Sequence, residues 1–127
     1  MSRFFSKVMN LLFFWKTAGS KTRIPMWVKG YQYSLSISEQ NAANKVISYA
    51  KKHHISSKEM RSIFDFELEY EKLKLTAQHD FPHMPKIMKE DIAKAKSAKY
   101  LQIREQLGEE LYNKYKTHRG NEKQRRY

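Results

Sequence analysis

Cysteine is absent from this chain, which excludes disulfide scaffolds, thiol nucleophiles and thiolate metal sites. Glycine and proline are scarce, at four and three residues, too few for a collagen-like chain or a turn-dense all-β fold. No apolar run reaches the roughly 20 residues that a membrane-spanning helix needs. The densest, Val8 to Trp15, covers eight positions and includes Asn10. There is no Gly-x-Gly-x-x-Gly, no Walker sequence, no Gly-x-Ser-x-Gly and no Glu-x-x-His, so the nucleotide loops, the nucleophile elbow and ferritin-like di-iron pairs lack their signatures. No RRM, KH or zinc-finger pattern occurs either.

What is present suits one small globular domain. The 127 residues are 40% hydrophobic and 30% charged, with seven phenylalanines, eight tyrosines and two tryptophans. That is too aromatic for a typical disordered chain and enough for a modest core. The net charge of +12 is unevenly placed. Residues 1–38 hold six basic side chains and no acid, and residues 39–112 hold 13 basic and 12 acidic ones. Residues 113–127 hold six basic residues against Glu122 alone. A nearly neutral middle therefore lies between two cationic ends.

On a helical wheel of residues 3–16, Arg3, Ser6, Lys7 and Asn10 share a polar arc. Phe4, Val8, Leu11, Leu12 and Trp15 lie opposite. This is the pattern of a helix lying in a membrane interface. Phe4, Leu11, Leu12 and Trp15 are expected to insert, and Arg3, Lys7 and Lys16 to contact anionic headgroups. The same acid-free start also fits an organellar transit peptide, such as a mitochondrial one, or a helix packed on the protein's own core. A secretory signal, which would make this an exported periplasmic protein, fits less well, because Trp15-Lys16 stands where small cleavage-site residues are wanted.

After the polar linker 17–23, Pro25 interrupts any helix. Tyr31, Tyr33, Leu35 and Ile37 then alternate with Gln32, Ser34 and Ser36. The period of two predicts a short β-hairpin or an extended aromatic arm near residues 26–37. Two helix starts follow. Ser36 with Glu39 and Ser56 with Glu59 fit capping boxes. They predict helices over about 38–53, with an Ala43, Val46, Ile47, Ala50 stripe, and over 57–78. The second has two apolar flanks, Met60, Phe64, Leu68 and Leu75 on one, and Ile63, Phe66, Tyr70, Leu73 and Ala77 on the other. A central helix with neighbours on both sides is expected. Pro85 opens a third helix carrying Met88, Ile92, Ala95, Ile103 and Leu107, with Lys99 in the middle of that stripe. Gly108 caps or bends it, and a short helix continues through Leu111 and Tyr115.

The expected architecture is mainly α: a small three- to four-helix domain over residues 24–116, an amphipathic helix and linker over 1–23, and a basic flexible tail over 117–127.

Few residues point to chemistry. Glu67 and Glu71 share a helical face at metal-bridging spacing, but a solvated strip beside Lys74 accounts for them. His79 and His83 with Met84 are separated by Phe81-Pro82, which breaks the geometry that would aim both rings at one ion. His53-His54 sits at a helix C-terminus, where an imidazolium favours the dipole. No catalytic residue, metal, cofactor or small-molecule substrate is indicated, and an enzyme is not expected. The leading expectation is a non-enzymatic binding or assembly protein at an anionic membrane surface, with an unidentified protein partner. The alternative is a nucleic-acid- or ribosome-associated protein, organellar in one version. It would use Trp27, Tyr31 and Tyr33 beside Lys29 for stacking, and Arg119, Lys123, Arg125 and Arg126 for phosphates.

Overall fold

The computed structural model describes residues 24–125, which form five helices and, among the described residues, no strand. The amphipathic helix expected over residues 3–16 lies outside them. In chain order the helices are α1 (Met26–Tyr31), α2 (Ile37–Lys52), α3 (Ser57–Asp80), α4 (Pro85–Leu107) and α5 (Glu109–Arg125). The central helix is α3, flanked by α2 on one side and α4 on the other; α1 docks on α2, and α5 folds back along α4.

Two serines set the helix starts. Ser56 and Glu59 form the full capping box: the Ser56 hydroxyl accepts from the Glu59 amide at 3.0 Å, and the Glu59 carboxylate accepts from the Ser56 amide at 2.9 Å. At α2 the Ser36 hydroxyl accepts from the Glu39 amide at 3.4 Å. The Glu39 carboxylate instead accepts from the Ser34 hydroxyl at 2.6 Å, so that box is half made. On α2, Ala42, Ala43, Val46, Ile47 and Ala50 are buried, and the alanines let α3 approach closely. Met60, Ile63, Phe64, Tyr70 and Ala77 of α3 are buried as expected, whereas Leu73 and Leu75 are exposed.

The expected hairpin is a short helix instead. Pro25, with φ at −65°, precedes α1, and the Lys29 amide donates to the Pro25 carbonyl at 3.3 Å. Trp27 and Tyr31, four residues apart, both land on Phe64. The Trp27 ring meets it edge-on at 5.6 Å and the Tyr31 ring stacks at 4.7 Å, while Val28 is fully buried. A lone two-stranded hairpin buries little, so helical spacing that places three side chains on the core prevails.

The tail also differs from expectation. Helix α5 continues through residues 117–125, with Leu111, Tyr115 and His118 buried. Leu111, Tyr115, His118 and Glu122 make one helical stripe whose last two members are polar. They are anchored on α2: the Ser48 hydroxyl lies 3.0 Å from His118 Nε2 and donates to Glu122 Oε1 at 3.1 Å. The α4–α5 corner is one residue, Gly108, at φ 93° and ψ 164°. A side chain there would strain the backbone. Arg104 Nε donates to Glu109 Oε2 across the corner at 2.6 Å.

Candidate functional site

The polar centre of the molecule is Glu67, which is 0% exposed. It sits on the strip between the two apolar flanks of α3, and α2, α4 and α5 each send one side chain to it. Lys45 Nζ of α2 lies 3.1 Å from Oε1. Lys99 Nζ of α4 donates to both oxygens at 3.1 and 3.3 Å. The Tyr115 hydroxyl of α5 donates to Oε2. One turn on, Glu71 accepts from Lys45 Nζ at 2.6 Å and from Asn41 Nδ2 at 3.4 Å. The Lys99 ammonium also lies over the Tyr70 and Tyr100 rings, 4.3 and 4.5 Å from their centroids. The solvated strip expected at Glu67 and Glu71 is therefore a buried ionic centre. Lys99, which interrupts the apolar stripe of α4, is its partner. Among the described residues every buried side-chain nitrogen and oxygen has a hydrogen-bond partner.

Electrostatics follow from this packing. Burial pushes the Glu67 carboxyl up, but the Lys99 and Lys45 ammoniums and the Tyr115 hydroxyl outweigh it and hold it below the usual carboxylate range. Burial pulls Lys99 down to about 8, against the opposing pull of Glu67, so most molecules keep that proton at neutral pH. Burial, and then the neighbouring Glu67 charge, pushes the Tyr115 phenol well above its ordinary value. This centre holds four helices together. Its charges are mutually satisfied, leaving no vacant valence for a ligand.

Above it opens a cleft of about 560 Å³ between α2, α3, α4 and α5. Lys45, Lys99, Tyr70 and Tyr100 line it. Lys74, Lys96, Arg119 and Lys123 also line it. None of these last four has an ion-pair partner among the described residues. The two acids lining the cleft are already engaged, Glu71 by Lys45 and Glu122 by Lys52 at 3.4 Å. Burial, and then the like charges of Lys123, Lys45 and Arg119, lower the affinity of Lys96 for its proton.

A third cluster joins Ser48, His118 and Glu122. Burial pulls His118 down to about 4, against the Glu122 charge that favours the imidazolium, so the ring is neutral at physiological pH. The carboxylate and the hydroxyl meet the same ring nitrogen, with Nε2 3.7 Å from Glu122 Oε1. A serine–histidine–acid relay needs them on opposite nitrogens, so this arrangement ties α5 to α2 without activating the serine. His53 caps α2 and stacks on Tyr49 at 4.6 Å. His79 is exposed and 3.2 Å from Asp80. Among the described residues no group of three or more His, Asp or Glu is placed to hold a metal ion.

The described residues among those read from sequence as nucleic-acid contacts belong to α1, the turn after it and α5. Tyr31 stacks on Phe64 and Trp27 meets it edge-on, and the Arg61 guanidinium covers the Trp27 ring at 5.0 Å. Lys29 and Tyr33 are exposed at the other end of the molecule's chain order from Arg119 and Lys123. Arg119 and Lys123 share the cleft, Arg125 ends α5, and Arg126 lies outside the described residues. So do all the membrane-contact candidates: Arg3, Phe4, Lys7, Leu11, Leu12, Trp15 and Lys16. Among the described residues no helix is long and apolar enough to cross a membrane. No family model, curated protein or solved structure matches this chain.

Proposed function

We propose that this chain is a non-enzymatic binding or assembly protein that works at an anionic membrane surface. Residues 3–16 make the contact, and the helical domain recruits a protein partner. The observation that carries this reading is the acid-free, amphipathic pattern of residues 3–16, with Arg3, Lys7 and Lys16 beside Phe4, Leu11, Leu12 and Trp15. The cleft cations Lys74, Lys96, Arg119 and Lys123, which have no ion-pair partner among the described residues, add positive charge that supports attraction to an anionic surface. Flotation with anionic liposomes tests it. The full chain is expected to float and a Leu11→Glu/Leu12→Glu variant to stay behind. Equal recovery of both in the soluble fraction contradicts the proposal.

A second reading, contact with nucleic acid, is favoured by Arg119 and Lys123 lying together in the cleft with no ion pair among the described residues. It predicts salt-sensitive binding to oligonucleotides that weakens when both residues are neutralised.

A further inference from the structure

We infer that the cleft is a binding site for a compact ligand carrying at least two neighbouring phosphate groups, either a free molecule or the headgroup of a lipid. The inference does not depend on residues 3–16.

Three observations support it. First, the cations converge. Lys74 and Arg119, half-buried, and Lys96 and Lys123, exposed, come from three helices, α3, α4 and α5, to line one concavity. Low-dielectric walls around like charges focus a positive potential into the space between them. Second, none of the four has an ion-pair partner among the described residues. The acids at the cleft are held by Lys45 and Lys52, and the buried Glu67 is matched by Lys45 and Lys99. Third, the donors suit phosphate. Arg119 offers a planar fork for two oxygens and the lysines offer point charges, while Asn41 and Asn44 of α2 also line the cleft. A single carboxylate would answer one of four cations. A volume of about 560 Å³ admits a larger, multiply charged molecule and lies in the range of small-ligand sites. The sequence indicated no small-molecule ligand because these four residues are spread over 50 positions of chain.

Calorimetric titration of the full chain with inositol hexakisphosphate at physiological salt tests the site. Two triple variants are compared: Lys96→Gln/Arg119→Gln/Lys123→Gln in the cleft, and Lys58→Gln/Lys72→Gln/Lys86→Gln on exposed surface elsewhere. Saturable one-to-one binding is expected, weakened roughly 10- to 100-fold by the cleft triple, as for lost charge-assisted hydrogen bonds. The control triple should change it by less than about threefold, since only long-range, screened charge is lost. Circular dichroism confirms that both variants are folded. Equal weakening by the two triples, absence of saturable binding, or tighter binding of a single-stranded oligonucleotide than of the inositol phosphate would overturn the proposal. Vesicles containing phosphatidylinositol bisphosphate, offered to the Leu11→Glu/Leu12→Glu variant, separate the two sources. Binding lost with the cleft triple assigns the lipid headgroup. Binding of the soluble probe without the vesicles assigns a free molecule. Both outcomes support the site, and neither decides whether residues 3–16 contact a membrane.

Discussion

Two groups of cations lining one cleft have opposite fates. Lys45 and Lys99 are drawn onto Glu67 and Glu71 and largely removed from water, while Lys96 of α4 and Arg119 and Lys123 of α5 line an open cleft with no ion-pair partner among the described residues. Lys96 and Lys99 are separated by less than one turn of α4. Their difference shows that residue type does not decide a charge's role. Burial demands a partner, because an uncompensated charge out of water is costly, whereas an exposed or half-exposed cation tolerates its neighbours and remains available. The buried centre is scaffold; the open rim is where binding is proposed.

The largest expected effect comes from breaking the buried side of that contrast. Glu67→Gln leaves Lys99 facing a neutral amide and is expected to cost about 3–5 kcal/mol in urea denaturation. Glu67→Leu combined with Lys99→Met should cost less than the two single changes summed, because neither charge is then stranded.

The next effect is the acid sensitivity of the α5–α2 tie. His118 has its ordinary value of 6.5 when unfolded and about 4 when folded. The unfolded chain therefore binds more protons between those values, and stability falls as pH drops from 6.5 to 4. Lys52, His53 and Arg119 repel the incoming proton while Glu122 attracts it. The denaturation midpoint followed over that window should decline in the native chain and decline less in His118→Gln. Below that window protonation of Glu67, whose carboxyl is held low in the fold, removes further stability.

A smaller change calibrates α3 without touching its charges. Ser56→Ala removes the hydroxyl of the capping box and is expected to cost about 1 kcal/mol, with no change in the acid limb. The smallest belongs to the rim. Lys96→Gln should alter stability by no more than about 0.5 kcal/mol, and in the stabilising direction, because it relieves repulsion from Lys123, Lys45 and Arg119.

The helices were legible where local rules act alone. The Ser56–Glu59 box, the Ala43–Ala50 stripe and Pro85 are signals contained within a few residues, and α2, α3 and α4 begin near the positions they indicate. Misreadings came where polar residues occupy buried positions. Glu67 looks solvated because apolar periodicity treats any acid as surface. The clue was a charge of opposite sign, Lys99, in the middle of another helix's apolar stripe. Likewise His118 and Glu122 continue the Leu111–Tyr115 stripe in polar form, so α5 seemed to end early. Trp27 and Tyr31 satisfy strand alternation and helical i, i+4 spacing equally, and only the presence of Phe64 decides between them. The cleft was not legible at all, since its cations belong to different helices and meet only after α5 folds back.

Equilibrium urea denaturation of the Lys96→Gln/Arg119→Gln/Lys123→Gln variant tests the division between scaffold and rim most directly. The expected result is a chain as stable as the native one, or slightly more so. A loss of several kcal/mol, on the order of that expected for Glu67→Gln, would mean that the rim cations hold the fold together, and would contradict that division.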